Sequence, residues 1–110
     1  MDTDSFLTDI MPAVEQWLAG GRQVALATVV SVQGTAPRRE GAKMAVSSEG
    51  EIAGSVSGGC VEGAVIQEAL QVLRKGRPKV VTYGITPDMI TDVGLSCGGT
   101  IRVYIEPLDW

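Results

Sequence analysis

Residues 23–32, Gln-Val-Ala-Leu-Ala-Thr-Val-Val-Ser-Val, form a nearly continuous apolar run rich in β-branched side chains. Such a run has no polar face to turn toward water, so it predicts a strand covered on both faces and central to a sheet. The neighbouring segments supply candidates for that cover. Phe6, Ile10, Val14, Trp17 and Leu18 recur at helical spacing and predict an amphipathic helix near residues 4–19 that ends at Gly20-Gly21. Pro12 falls inside it, so either Asp9 caps the true start or the helix bends there.

After the apolar run, Gly34 to Gly41 reads as a loop carrying Pro37, Arg38 and Arg39. Lys43–Ser47 and Glu51–Val56 read as a hairpin around Ser48-Glu49-Gly50. From Cys60 to Lys75, Gln67, Gln71, Arg74 and Lys75 share one face, while Val61, Ala64, Val65, Ala69, Val72 and Leu73 share another. Gly76 and Pro78 end this helix; a strand over Lys79–Tyr83, a turn-rich stretch from Gly84 to Gly99 and a strand over Thr100–Glu106 follow. Strand, helix and strand in that order predict a right-handed crossover. The expected fold class is therefore α/β: a mixed β-sheet of about five strands with helices packed against it. At 110 residues the chain is sized for a single compact domain. Fourteen glycines against one phenylalanine, two tyrosines and two tryptophans predict a core of Val, Ile, Leu and Ala joined by tight turns.

Charge and residue types exclude several functions. A formal charge of -4 argues against a nucleic-acid partner, whose binding needs clustered cations. Met1-Asp2-Thr3-Asp4 lacks a basic start, and no apolar run approaches the roughly 20 residues that span a bilayer, so a soluble, cytoplasmic protein is expected. Two cysteines 37 positions apart are expected as reduced, free thiols in that setting. With no histidine, Ser-His-Asp and Cys-His catalysis and His-based zinc sites are ruled out for this chain.

Chemistry can then sit in two glycine-cysteine loops. Gly54-Ser55-Val56-Ser57-Gly58-Gly59-Cys60-Val61-Glu62-Gly63 runs from a strand through two glycines into the strongest helix. A turn of this kind is expected to expose backbone N–H groups at the positive end of the helix dipole, a setting that holds a phosphate or stabilises a thiolate. It is neither GxGxxG nor a P-loop. The structural alternative is a sharp turn with Cys60 as a small buried apolar residue. Gly94-Leu95-Ser96-Cys97-Gly98-Gly99 repeats the pattern before the last strand. If the loops converge at one end of the sheet, two thiols and many N–H groups face a shared pocket. Arg38, on a loop stiffened by Pro37, offers a planar fork for a phosphate, against the alternative of a solvated surface arginine. Glu62, in the first helical turn, complements the dipole and is read as structural rather than as an acid-base group.

Together, Gly34-Thr35-Ala36-Pro37-Arg38, Gly41-Ala42-Lys43-Met44, Gly54 to Glu62, Gly94 to Gly99 and the closing Ile105-Glu106-Pro107-Leu108 resemble the XdhC/CoxI family over almost the whole chain, in the family's order. The resemblance implies an accessory protein that binds molybdenum cofactor, favours its sulfurated form and assists its insertion into xanthine dehydrogenase-type molybdenum hydroxylases, rather than an enzyme that turns over a substrate. The cofactor is a pterin bearing a phosphate and a thiophilic metal, which suits arginine, glycine-loop donors and soft cysteine ligands. On that basis Arg38, Ser57, Gly58, Gly59, Cys60, Ser96, Cys97, Gly98 and Gly99 are the expected cofactor-binding residues, with Cys60 and Cys97 as metal ligands. Many family members continue into a Rossmann-like domain that residues 1–110 do not include. This motivates a second reading, a module that docks on a target enzyme or a separate Rossmann-domain subunit without holding cofactor. A third reading makes Cys60 a persulfide sulfur carrier. Exposed β edges and an incomplete domain also fit a homodimer.

Overall fold

The computed structural model describes residues 4–34, 39–59, 61–84 and 99–108, with the side chains of the first helix described from Ile10 onward. In chain order its elements are α1 (Asp4–Ala19), β1 (Val24–Gln33), β2 (Lys43–Ser47), β3 (Ile52–Gly54), α2 (Glu62–Lys75), β4 (Lys79–Gly84) and β5 (Thr100–Pro107). The strands form one sheet in the order β3-β2-β1-β5-β4, so the apolar run of β1 is its central strand.

Alternation along β1 divides the core in two. Val24 and Leu26 join Ile10, Val14 and Trp17 of α1 and Ala45 of β2 on one face. Ala25, Ala27 and Val29 join Val65, Ala69 and Val72 of α2 and Ile101, Val103 and Ile105 of β5 on the other. One helix therefore covers each face, which is why both registers of β1 had to be apolar. The largest fully buried side chains are those of isoleucines, valines and Met44, none of them aromatic, as the scarcity of aromatic residues predicts.

α1 runs unbroken through Pro12. Proline removes one N–H and leaves the carbonyl four residues earlier without its donor, a loss that is tolerable here because Pro12 is exposed and water can take the donor's place. The helix closes where the glycine pair predicts: Arg22 N donates to Trp17 O at 3.0 Å, Gly21 N to Leu18 O at 3.0 Å, and Gly21 sits at φ 83°. α2 ends on Gly76, also left-handed, whose N–H donates to Val72 O at 2.8 Å.

The five strands and packed helices are those expected, but their pairing differs. β1 pairs with β2 and β5, β2 with β3, and β5 with β4, all antiparallel. β3 and β4 do run the same way on either side of α2, yet they lie at opposite edges of the sheet. The crossover spans the sheet's full width, so no parallel pair forms among the described strands and the expected mixed sheet is an antiparallel one. Among the described residues, no helix is long and apolar enough to cross a membrane.

Candidate functional site

The strand-to-helix junction begins at a glycine whose place no other residue takes without strain. Gly54 has φ 81°, and a Cβ there would press on the Lys43 carbonyl oxygen and come within 2.8 Å of Ile10 Cγ2. The chain leaves β3 at that point, still tied to β2 by Ser55 N donating to Lys43 O at 3.1 Å. Val56 and Val61 then drop into the α2-side core and anchor both ends of the loop.

Between those anchors the loop wraps around the Glu62 carboxylate. Oε2 accepts from Ser55 Oγ at 2.6 Å, Val56 N at 3.0 Å and Ser57 N at 2.9 Å. Oε1 accepts from Gly59 N at 2.9 Å and from the Ser57 hydroxyl. The two serines are also acceptors: Gly58 N donates to Ser55 Oγ at 2.8 Å and Val61 N to Ser57 Oγ at 2.9 Å. Burial pushes the Glu62 carboxyl up, but the hydroxyls of Ser55 and Ser57 and the N–H groups of Ser57 and Val56 outweigh it and hold the group down at about 2. Glu62 is thus a buried, ionised carboxylate at the positive end of α2.

This corrects the expectation of free N–H groups at the junction. The N–H groups of Val56, Ser57, Gly58, Gly59 and Val61 are all engaged within the loop, so they do not form an open phosphate cradle. The reason lies two residues beyond Cys60: a carboxylate in the first turn reaches back and takes the donors. Ser57 is buried within this network, whereas Gly58 and Gly59 are exposed at φ 70° and 108°, with nothing within 4 Å of a Cβ built on Gly59. Glu62 belongs to the site in a way that its place in the helix did not reveal. The available signal was the spacing of Ser55 and Ser57, seven and five residues before it, a more extended relative of the capping box.

The ends of the described elements show how the sheet orders the candidate segments. Gln33, the last residue of β1, is opposite Thr100, the first of β5, and Thr100 is opposite Gly84, the last of β4. The chain therefore leaves toward residues 35–38 and 85–98, and returns through the buried Gly99, at one end of the sheet. α2 starts in that half. Its last turns lie at the other end, where Leu70, Leu73 and Arg74 line a groove with Gln23 and Ser48. Arg38, Cys60, Ser96, Cys97 and Gly98 lie outside the described residues. Lys43 is half-buried in the same half of the sheet but on the α1 face; its Nζ donates to Thr28 Oγ1 at 3.1 Å, and burial lowers its pKa against the pull of Glu106.

Against this geometry, the comparisons with known proteins agree with one another. The model of the XdhC and CoxI family matches residues 17–84. The molybdenum cofactor insertion chaperone PaoD of Escherichia coli K12 is 40% identical over 106 residues, which cover 96% of this chain and 33% of that protein. A Bacillus subtilis protein described as a probable subunit of xanthine dehydrogenase is 34% identical over 86 residues, 76% of this chain and 26% of that protein. A crystal structure described as a xanthine dehydrogenase from Bacillus halodurans superposes with a TM-score of 0.73 at 32% identity, covering 89% of this chain and 30% of that one. The chain spans about a third or less of the length of each.

Proposed function

The chain belongs to the XdhC and CoxI family, and from that premise we propose that it is an accessory protein that holds molybdenum cofactor and assists its insertion into a xanthine dehydrogenase-type enzyme. The observation that carries this reading is the likeness to the E. coli insertion chaperone along nearly the whole chain. The chain's path is consistent with it: the segments bearing Arg38 and Cys97 leave described strands at one end of the sheet, and the segment bearing Cys60 leads into α2 in the same half.

Within this reading the chain's residues divide the cofactor's chemistry. Cys60 and Cys97 are soft sulfur donors toward a thiophilic metal, and Arg38 supplies a planar fork for the phosphate. Gly58 and Gly59 present bare, exposed backbone to a flat ring, and Ser96, Gly98 and Gly99 are the second loop's candidates for the same ligand. Ser57 acts indirectly, by fixing the first loop through Glu62. When bound, the cofactor supplies the molybdenum centre that the receiving enzyme uses; the chain's part is to hold and present it. The persulfide-carrier reading drew on Cys60 at a helix N-terminus; α2 does begin two residues later, at Glu62, and the ionised Glu62 carboxylate there works against a second negative group beside it.

The test is retention. Purified protein incubated with molybdenum cofactor and then desalted is expected to keep pterin fluorescence and molybdenum, and Cys60→Ala and Cys97→Ala are each expected to keep less. A wild-type protein that retains neither sinks the proposal, and full retention in both variants removes the thiols from it.

A further inference from the structure

We propose that Glu62 is a resident anion: its carboxylate fills the anion-binding hollow that residues 55–59 and 61 make ahead of α2 and shuts that hollow to a phosphate or other oxyanion of any ligand. Every feature that makes a helix N-terminus attract an oxyanion is present there. Backbone N–H groups of Val56, Ser57 and Gly59 converge on one point, and the hydroxyls of Ser55 and Ser57 join them. The point is already occupied by a negative group covalently part of the chain. Its two oxygens accept three and two hydrogen bonds, and the remaining described N–H groups of the loop, those of Gly58 and Val61, are held by the serine hydroxyls. An incoming phosphate would find no free donor among these groups and would have to approach a buried like charge.

The consequence for ligand choice rests on the cofactor reading above. If the chain holds a phosphate-bearing pterin, groups other than the backbone of residues 56–59 must meet the phosphate, with side-chain cations the first candidates, and Gly58 and Gly59 serve only close approach. Glu62 is then a specificity-determining residue that keeps the glycine-cysteine loop for the non-phosphate part of the ligand.

The experiment replaces the resident anion with a free one. Glu62→Ala empties the hollow, and formate, the smallest carboxylate, is the probe; inorganic phosphate is the second. Thermal unfolding of the full chain is followed by circular dichroism in formate, phosphate and chloride at equal ionic strength. Glu62→Ala is expected to melt below wild type in chloride and to regain several degrees in formate, the rise following the logarithm of concentration as a binding equilibrium requires. Phosphate stabilises folded proteins in general by exclusion from their surface, so each response is read against Glu62→Gln, and wild type is expected to gain no more from formate or phosphate than that variant does. If Glu62→Ala does not fold in chloride, its refolding yield in formate takes the place of the melting temperature. Glu62→Gln keeps the side-chain volume and leaves no hollow, so formate should not help it. The proposal is overturned by equal behaviour of Glu62→Ala in formate and chloride, by equal rescue of the Ala and Gln variants, or by a phosphate response in wild type that exceeds that of Glu62→Gln. None of these measurements uses the cofactor, so loss of the cofactor reading and loss of the resident-anion claim are separate results.

Discussion

Acid sensitivity is where the Glu62 network becomes measurable. A carboxyl ordinarily near 4.5 that the fold holds at about 2 has its folded-state pKa depressed, so the stability it contributes is fully present above the unfolded value and is lost as pH falls through the folded one. The difference between those two values corresponds to about 3 kcal/mol, of which about 2 kcal/mol disappears between pH 7 and pH 3. The perturbation is Glu62→Gln, which removes the titration while keeping the shape. At pH 7 the variant should be less stable by at least about 3 kcal/mol, because the amide turns its own NH2 toward groups that are themselves donors and leaves buried N–H groups unpaired. Urea unfolding of both proteins at pH 7, 5, 4 and 3 gives the assay. All other carboxylates are common to the pair and cancel in the difference, so the wild-type advantage should narrow by about 2 kcal/mol toward pH 3, with most of the narrowing below pH 4.5. A gap that stays constant over this range, or widens as the solution becomes more acid, would refute the claim that Glu62 is held ionised by its loop.

Two further substitutions probe the frame around the site. Gly54→Ala should cost about 3 kcal/mol, the sum of a left-handed backbone and a contact with the Lys43 carbonyl, whereas Gly76→Ala, left-handed with nothing within 4 Å, should cost only about 1 kcal/mol. Equal costs in urea unfolding would show that the Gly54 contact relaxes. Tyr83→Phe should be neutral or stabilise by up to about 1 kcal/mol, since the Tyr83 hydroxyl is buried with no partner among the described residues and burial, then Glu68, pushes its pKa up to about 12. A loss greater than about 1 kcal/mol on the same assay would reveal a hydrogen bond to that hydroxyl.

Much of the fold was legible because it depends on local patterns. The unbroken apolar run of β1 announced a central strand, the spacing of Ile10, Val14 and Trp17 announced α1, and the glycine pair at 20–21 marked its end. Strand neighbours were not legible in the same way. That β5 inserts between β1 and β4, and that β3 and β4 sit at opposite edges, depends on which strands find partners across the sheet, and order along the chain does not encode it. The second hairpin strand is also shorter than its apolar pattern: β3 stops at Gly54, where a positive φ turns the chain out of the ladder before Val56 enters the core from the loop.

The candidate site was misjudged in one respect for a related reason. Two glycines and a cysteine before a helix look like an open anion site when only the donors are counted. The acceptors that close it, Ser55, Ser57 and Glu62, are equally local, but their effect depends on the loop folding so that a first-turn carboxylate meets N–H groups three to six residues behind it. A glycine-rich junction is therefore better read by setting its nearby carboxylates and hydroxyls against its backbone donors. When a Glu follows the glycines within three residues and serines precede them, the helix N-terminus has an internal anion available, and an external one must compete with it. For this chain that moves the expected phosphate contact away from the backbone of Gly58-Gly59.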